Sequence, residues 1–331
     1  MNPQNVTTIQ REAQPSAAPP VARPLISAKD VYEVPRLGFQ AVLAWLLPEW
    51  VWWPLSRLFG RVNVFFHPKR TAAEEAEIAA VLAGTTADGM ARRIATENWC
   101  NRFEERFQYM RSWRPGGWSP AIEIVGAEHV ANALEEGRGI VLWGGNFSFK
   151  DLVARIAWRR LGLSVTLLAR PIHGFSKTQF GIRYLNAVRR GIEDRYLGER
   201  LMVEEHETSG ALKTMRARLK KNGVVSITVG NQGRRRTTAR FLGGSLVLAT
   251  GPLAMAHETG AALLAVHTLR LATGRFRVII EPPIKIAIGK DGAPDYAGAA
   301  QRYADMLGPV VLRDPGQWRG WRYTSARPIT L

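Results

Sequence analysis

Residues 126–171 read GAEHVANALEEGRGIVLWGGNFSFKDLVARIAWRRLGLSVTLLARP, and the spacing of their apolar side chains decides the fold class. Glu128–Glu136 carries helical spacing and is ended by Gly137. Gly139–Trp143 is a continuous apolar run, as expected of a strand buried on both faces, and Gly144-Gly145 turns the chain. A helix is expected over Asp151–Arg160, stopped by Gly162, followed by a strand over Ser164–Ala169.

The alternation continues outward. Pro115–Gly117 marks a break, after which Ile122–Val125 reads as a short strand. Downstream, helices are expected over Lys177–Arg189, Leu212–Lys221, Leu253–Glu258 and Ala297–Leu307. Strands are expected over Val224–Val229, Leu263–Leu269 and Arg275–Ile280. Strands separated by helices predict an α/β fold, a mostly parallel central sheet flanked by helices. Residues 72–112 add two helices broken near Gly84. The expected organisation is a disordered tail over 1–30, a helical membrane-associating region over 31–115 and an α/β domain over 116–331. The last two are expected to pack as one unit.

Hydrophobic residues make up 46% and charged residues 22%, enough for a sizeable core. Lys and Arg number 45 against 28 Asp and Glu, and the resulting +17 favours polyanionic partners: nucleic acid, anionic lipid or an acidic protein. No nucleic-acid motif accompanies the charge, so a nucleic-acid partner is not expected. The single cysteine, Cys100, excludes an intramolecular disulfide framework and a Cys-based zinc site. No metal or bound organic cofactor is indicated.

Residues 37–60, LGFQAVLAWLLPEWVWWPLSRLFG, hold Trp45, Trp50, Trp52 and Trp53. The uncharged run Leu37–Pro48 falls short of the roughly 20 residues that span a bilayer. Pro48 and Pro54 interrupt a long helix, and Arg36, Arg57, Arg61, Lys69 and Arg70 flank the stretch. The four tryptophans are therefore expected to contact a membrane as an interfacial anchor. The alternative is a buried hairpin of core helices.

Residues 126–171 resemble the core block of the lipid A late acyltransferases, within the lysophospholipid acyltransferase group. That family carries an HX4D/E motif after the first strand of this block. Here the motif reads Asn146-Phe147-Ser148-Phe149-Lys150-Asp151, which keeps the spacing and the acid but replaces the histidine. Residues 211–232 resemble the family's next helix, turn and strand, with Gly230-Asn231-Gln232 where members carry an Asp-containing block. FLGG and TGPLAMAHETGAALLAVH are similar to later blocks, and Asp314–Arg322 resembles the terminal Gln-Trp signature. The ordered resemblance spans about residues 36–322.

The resemblance implies transfer of a fatty acyl group from acyl carrier protein or a coenzyme A thioester to a lipid acceptor, at the cytoplasmic face of the bacterial inner membrane. It places Asn146 and Asp151 at the catalytic positions. An amide does not titrate in the useful range, so Asn146 is no general base, but it donates and accepts hydrogen bonds. His173, just after Arg170-Pro171, and Asp151 itself are the candidate bases. Arg170, His173, Asn231, Gln232, Arg234 and Arg235 are candidate substrate contacts, the arginines suited to phosphate or an oxyanion.

Plainer readings stand beside these. Asn146 or Ser148 would serve as a helix cap, and Asp151 would sit favourably at a helix N-terminus. Arg170 would form a surface salt bridge, and Arg234–Arg236 a solvated loop. His257 and His267 lie in apolar surroundings and read as structural, while His67, His129 and His206 read as surface residues. Amides at both 146 and 231 also fit a non-catalytic descendant that binds lipid or acyl carrier.

Overall fold

The computed structural model describes residues 23–170, 174–203, 208–231, 233 and 235–325. The helical region comprises α1 (Ala28–Leu46), α2 (Trp52–Phe66), α3 (Pro68–Leu82) and α4 (Ala91–Trp113). There follow β1 (Ala121–Val125), α5 (Ala127–Glu135), β2 (Ile140–Gly144), α6 (Val153–Arg160), β3 (Val165–Ala169), α7 (Asn186–Asp194) and β4 (Glu199–Met202). The chain continues with α8 (Thr208–Leu219), β5 (Val224–Thr228), β6 (Arg236–Phe241), β7 (Gly244–Ala249) and α9 (Gly251–Thr259). It ends with β8 (Ala262–Ala272), β9 (Arg275–Ile280), α10 (Tyr296–Arg313) and β10 (Thr324–Ser325).

The expected α/β architecture is present. The main sheet has the order β1-β9-β8-β2-β5-β3-β4. From β8 to β4 every neighbouring pair is parallel; β9 runs antiparallel to β8, and β1 parallel to β9. β2 lies between β8 and β5 and is buried along most of its length, as its apolar run requires. Alternate β2 side chains face opposite sides: Val141 and Trp143 join one core, Ile140 and Leu142 the other.

The first core also takes in Ile78 of α3, Ile94 of α4 and Tyr303 of α10, and the second Leu37 of α1, Trp52 of α2 and Phe107 of α4. The N-terminal helices thus complete both faces of the α/β unit. Part of the expected tail is built into the fold: Pro24 and Leu25 carbonyls accept from the Gln179 and Phe180 amides, and Asp30 is buried in α1. Residues 1–22 lie outside the described residues.

Three elements depart from expectation. The helix expected from Lys177 starts at residue 179, passes through a π-helical turn at Gly181–Leu185 and runs to Asp194. Ser176 and Thr178 are held by Asp30, while Asn186 Oδ1 accepts from the Phe175 and Ser176 amides, so the preceding residues are fixed as a loop. β4 was not expected; it is a four-residue edge strand of mixed polarity with little pattern to read. β6 and β7 form an unexpected antiparallel hairpin whose turn contains Leu242 at φ 54° and Gly243. The Gly243 amide donates to the Val81 carbonyl at 2.8 Å, and a Cβ there would lie 2.5 Å from the Ala83 carbonyl oxygen.

Candidate active site

β2, β5 and β3 are neighbours in the sheet and run in the same direction, so their carboxyl ends open on one side. Asn146 follows the end of β2, Asn231 the end of β5 and Arg170 the end of β3. The Gly144 carbonyl accepts from the Val229 amide at 2.9 Å, which brings the first two connections together. Asn231 and Arg170 are half-buried, and Arg235 is exposed. His173, Gln232 and Arg234 lie outside the described residues, as does His206.

The Asn146 loop is fixed by its backbone. The Gly145 amide donates to the Val266 carbonyl at 2.7 Å, and the Phe147 amide to the Gly145 carbonyl at 2.9 Å. On the other side, the Arg319 amide donates to the Asn146 carbonyl and the Ser148 amide to the Gln317 carbonyl, both at 2.8 Å. The C-terminal Gln-Trp signature thereby pairs with the motif loop through a single antiparallel bridge between Phe147 and Trp318. It is secured in turn by α4: Asn98 Nδ2 donates to the Trp318 carbonyl and Asn101 Nδ2 to the Gly316 carbonyl. Asn146 is 8% exposed, and its side-chain amide has no hydrogen-bond partner among the described residues. Neither Asn146 nor Ser148 caps α6, whose N-cap position is Leu152.

Asp151 sits in an ion cage. Lys150 Nζ and Arg189 lie 2.7 and 2.8 Å from its two carboxylate oxygens, and Arg155 lies 3.6 Å away. Arg155 and Arg189 both extend to the fully buried Glu193, which also accepts from the Tyr109 hydroxyl at 2.7 Å. Burial pushes the Tyr109 hydroxyl well above its ordinary pKa. Burial also opposes the Arg189 charge, but Tyr109, Glu193 and Asp151 outweigh it and raise that pKa. Asp151 lines a cavity of about 30 Å3 with Lys150, Arg155 and Thr228, room for a water or two.

The sequence reading did not single out Lys150, Arg155, Arg189 or Glu193. Two signals were available: Arg155 interrupts the apolar stripe of α6 four residues after Asp151, and Arg189 and Glu193 are spaced for a helical ion pair. His267 is fully buried, its ring nitrogens make no hydrogen bond among the described residues, and burial lowers its pKa to about 3. It points to the opposite side of β8 from Val266 and Thr268, which line the Asp151 cavity. His257 is exposed on α9 rather than enclosed by apolar side chains.

The tryptophans divide. Trp50 is 73% exposed. Trp52 is fully buried between Phe107 and Trp118, Trp53 lies under the Arg270 guanidinium, and Trp45 donates to the Met110 carbonyl against the edge of Trp113. Packing, rather than solvent or lipid, accounts for Trp52. The exposed apolar surface is carried instead by Val31, Phe39, Val42 and Leu46 of α1 and by Leu58, Phe65 and Phe66 of α2.

A family model described as bacterial lipid A biosynthesis acyltransferase matches residues 37–321. The chain belongs to this family. The match runs from α1 through the Gln-Trp signature and so covers every element that builds the site. It supports an acyltransferase of the lipid A type. A comparison with curated proteins finds no match.

Proposed function

We propose that this protein is a membrane-associated acyltransferase that moves a fatty acyl group from acyl carrier protein or coenzyme A to a lipid hydroxyl or amine. The observation that carries the reading is the Asn146 amide, which has no side-chain hydrogen-bond partner among the described residues and sits at the family's histidine position in a loop held by backbone hydrogen bonds. In the reaction the acceptor oxygen or nitrogen bonds to the thioester carbonyl carbon, the carbon–sulfur bond breaks, and the acceptor proton passes through a base to the leaving thiolate. Asn146 holds the acceptor or the oxyanion, and Lys150 lends positive charge as the oxyanion develops. Asp151 is already bound by three cations, which disfavours it as the base. His173, four residues after the end of β3 in sequence, is the base we assign.

Membrane association is supported by the apolar outward face of α1. Its inward face mixes buried Asp30, Glu33 and Gln40 with Leu37, Ala41 and Ala44, while Val31, Phe39, Val42 and Leu46 are 55–78% exposed. An apolar stripe facing outward suits lipid. Among the described residues no helix is long and apolar enough to cross a membrane, so we propose an interfacial attachment. Cytoplasmic thioester donors and the +17 charge favour the cytoplasmic face of the bacterial inner membrane and acidic partners.

A second reading, a non-catalytic homologue that binds lipid or acyl carrier, is favoured by the Asp151 cage and the small cavity. Purified protein mixed with phospholipid vesicles and labelled palmitoyl-carrier protein or palmitoyl-coenzyme A separates the two. Labelled lipid product supports the enzyme; saturable donor binding without product supports the second reading. In the same vesicles, Val42→Asp is expected to weaken co-sedimentation, and unchanged sedimentation would sink the membrane assignment.

A further inference from the structure

The end of α4, the turn that follows it and Glu49 beyond α1 form an open depression of about 310 Å3, whose lining includes Arg111, Arg114, Gly116, Gly117 and Trp118. Arg111 donates to the Trp45 and Leu47 carbonyls at 3.1 and 3.3 Å, and Arg114 donates to the Trp45 carbonyl at 3.2 Å. These bonds satisfy the end of α1 and fix both guanidiniums in place. They do not neutralise them: among the described residues neither arginine forms a salt bridge with a carboxylate, and Arg111 lies over the Trp52 ring. Glu49 accepts from Trp118 Nε1 at 3.0 Å and keeps its negative charge in the same depression. Gly116 and Gly117, at φ 87° and 67°, add no side chains to the lining.

The rim is apolar. Leu46 and Trp50 are 78% and 73% exposed, and Trp113, next to Arg114, is 47% exposed. They continue the outward stripe of α1. Fixed guanidiniums beside exposed indoles are the complement of a molecule with an anionic head and apolar chains.

We propose that this depression binds the phosphodiester headgroup of an anionic phospholipid, whose chains lie along Leu46, Trp50 and Trp113. The nearby Glu49 carboxylate disfavours a second negative charge, so a singly charged phosphodiester fits better than a phosphomonoester. The site is separate from the Asn146 loop and supplies headgroup selectivity to the attachment face; it rests on the membrane reading above.

Full-length protein is titrated with dihexanoyl-phosphatidylglycerol below its micelle concentration, followed by tryptophan fluorescence. Saturable binding is expected, weakened about tenfold in Arg114→Gln by loss of a charge-assisted contact. Arg114→Lys, which keeps the charge, recovers part of it. Wild-type binding that does not saturate, or equal affinity in Arg114→Gln, overturns the proposal. Vesicle co-sedimentation separates it from the membrane reading. Val42→Asp, outside the depression, is expected to lose vesicles of either charge yet bind the soluble lipid like wild type. Wild type that prefers phosphatidylcholine vesicles with added phosphatidylglycerol supports the site, and indifference to that lipid counts against it.

Discussion

The Arg189 guanidinium lies 2.8 Å from one Asp151 oxygen, and its Nε lies 2.9 Å from Glu193. Arg155 spans the same two carboxylates. Asp151, the acid of the motif, is thus part of a buried charge lattice linking α6, α7 and, through Tyr109, α4. Its first consequence is structural: the acid locks the helices that frame the Asn146 loop.

Asp151→Ala therefore removes one of the two buried carboxylates that Arg155 and Arg189 share, leaving Glu193 to offset both, and strips Lys150 of its partner. Urea denaturation is expected to show a loss of about 3–5 kcal/mol. A variant as stable as wild type would show the cage to be dispensable for folding. Activity of this variant is meaningful only when measured at a temperature where it remains folded.

Gly145→Ala tests the rigidity of the loop. The added Cβ would lie 2.8 Å from His267 Nδ1 and 3.0 Å from Phe147 Cε2, both on fully buried rings. A cost of about 1–3 kcal/mol is expected from overpacking, with loss of acyl transfer as Asn146 shifts. Gly251→Ala, whose Cβ would meet nothing within 4 Å, is the control and should change stability by less than about 0.5 kcal/mol. Equal melting of the two variants would contradict the packing.

Glu104 gives a pH signature. It is fully buried, and desolvation, partly offset by Arg270, raises its pKa to about 7 from 4.5. The folded state therefore holds a proton that the unfolded chain has released between pH 4.5 and about 7. Stability is expected to fall as pH rises through that window, and Glu104→Gln should flatten the slope. Parallel stability–pH curves for wild type and variant would contradict this.

Asp30 behaves oppositely. Burial raises its pKa, but hydrogen bonds from Ser176, Thr178 and Ser27 outweigh that and bring it to about 2. Its contribution is present above the unfolded value of 3.8 and is lost as pH falls through about 2. Asp30→Ala strips an acceptor from two buried hydroxyls and is expected to cost about 1–3 kcal/mol. Limited proteolysis should then cut the loop before α7 faster; unchanged cleavage would show that α1 does not hold it.

The sequence was most legible where one local cause dominates. The apolar run of β2, the Gly144-Gly145 turn and the helix stop at Gly162 each dictate their element. It was least legible where distant partners decide. β4 is defined by pairing with β3, the β6–β7 turn by contact with α3, and the start of the helix before α7 by Asp30, far away in sequence. The site followed the same rule. Asn146 and Asp151 stood out by spacing, but the partners of Asp151 on α7 became visible only once folded. The tryptophans misled because an indole serves a core as readily as a bilayer surface; Trp50 is exposed and Trp52 buried.

The most direct measurement is single-turnover acyl transfer from palmitoyl-carrier protein or palmitoyl-coenzyme A to a bacterial lipid extract, comparing wild type, Asn146→Ala and Asn146→His. Catalysis through a positioned amide predicts product with wild type and a loss of about 10²–10³ in Asn146→Ala. An inert wild type, with activity appearing only in Asn146→His, would contradict it.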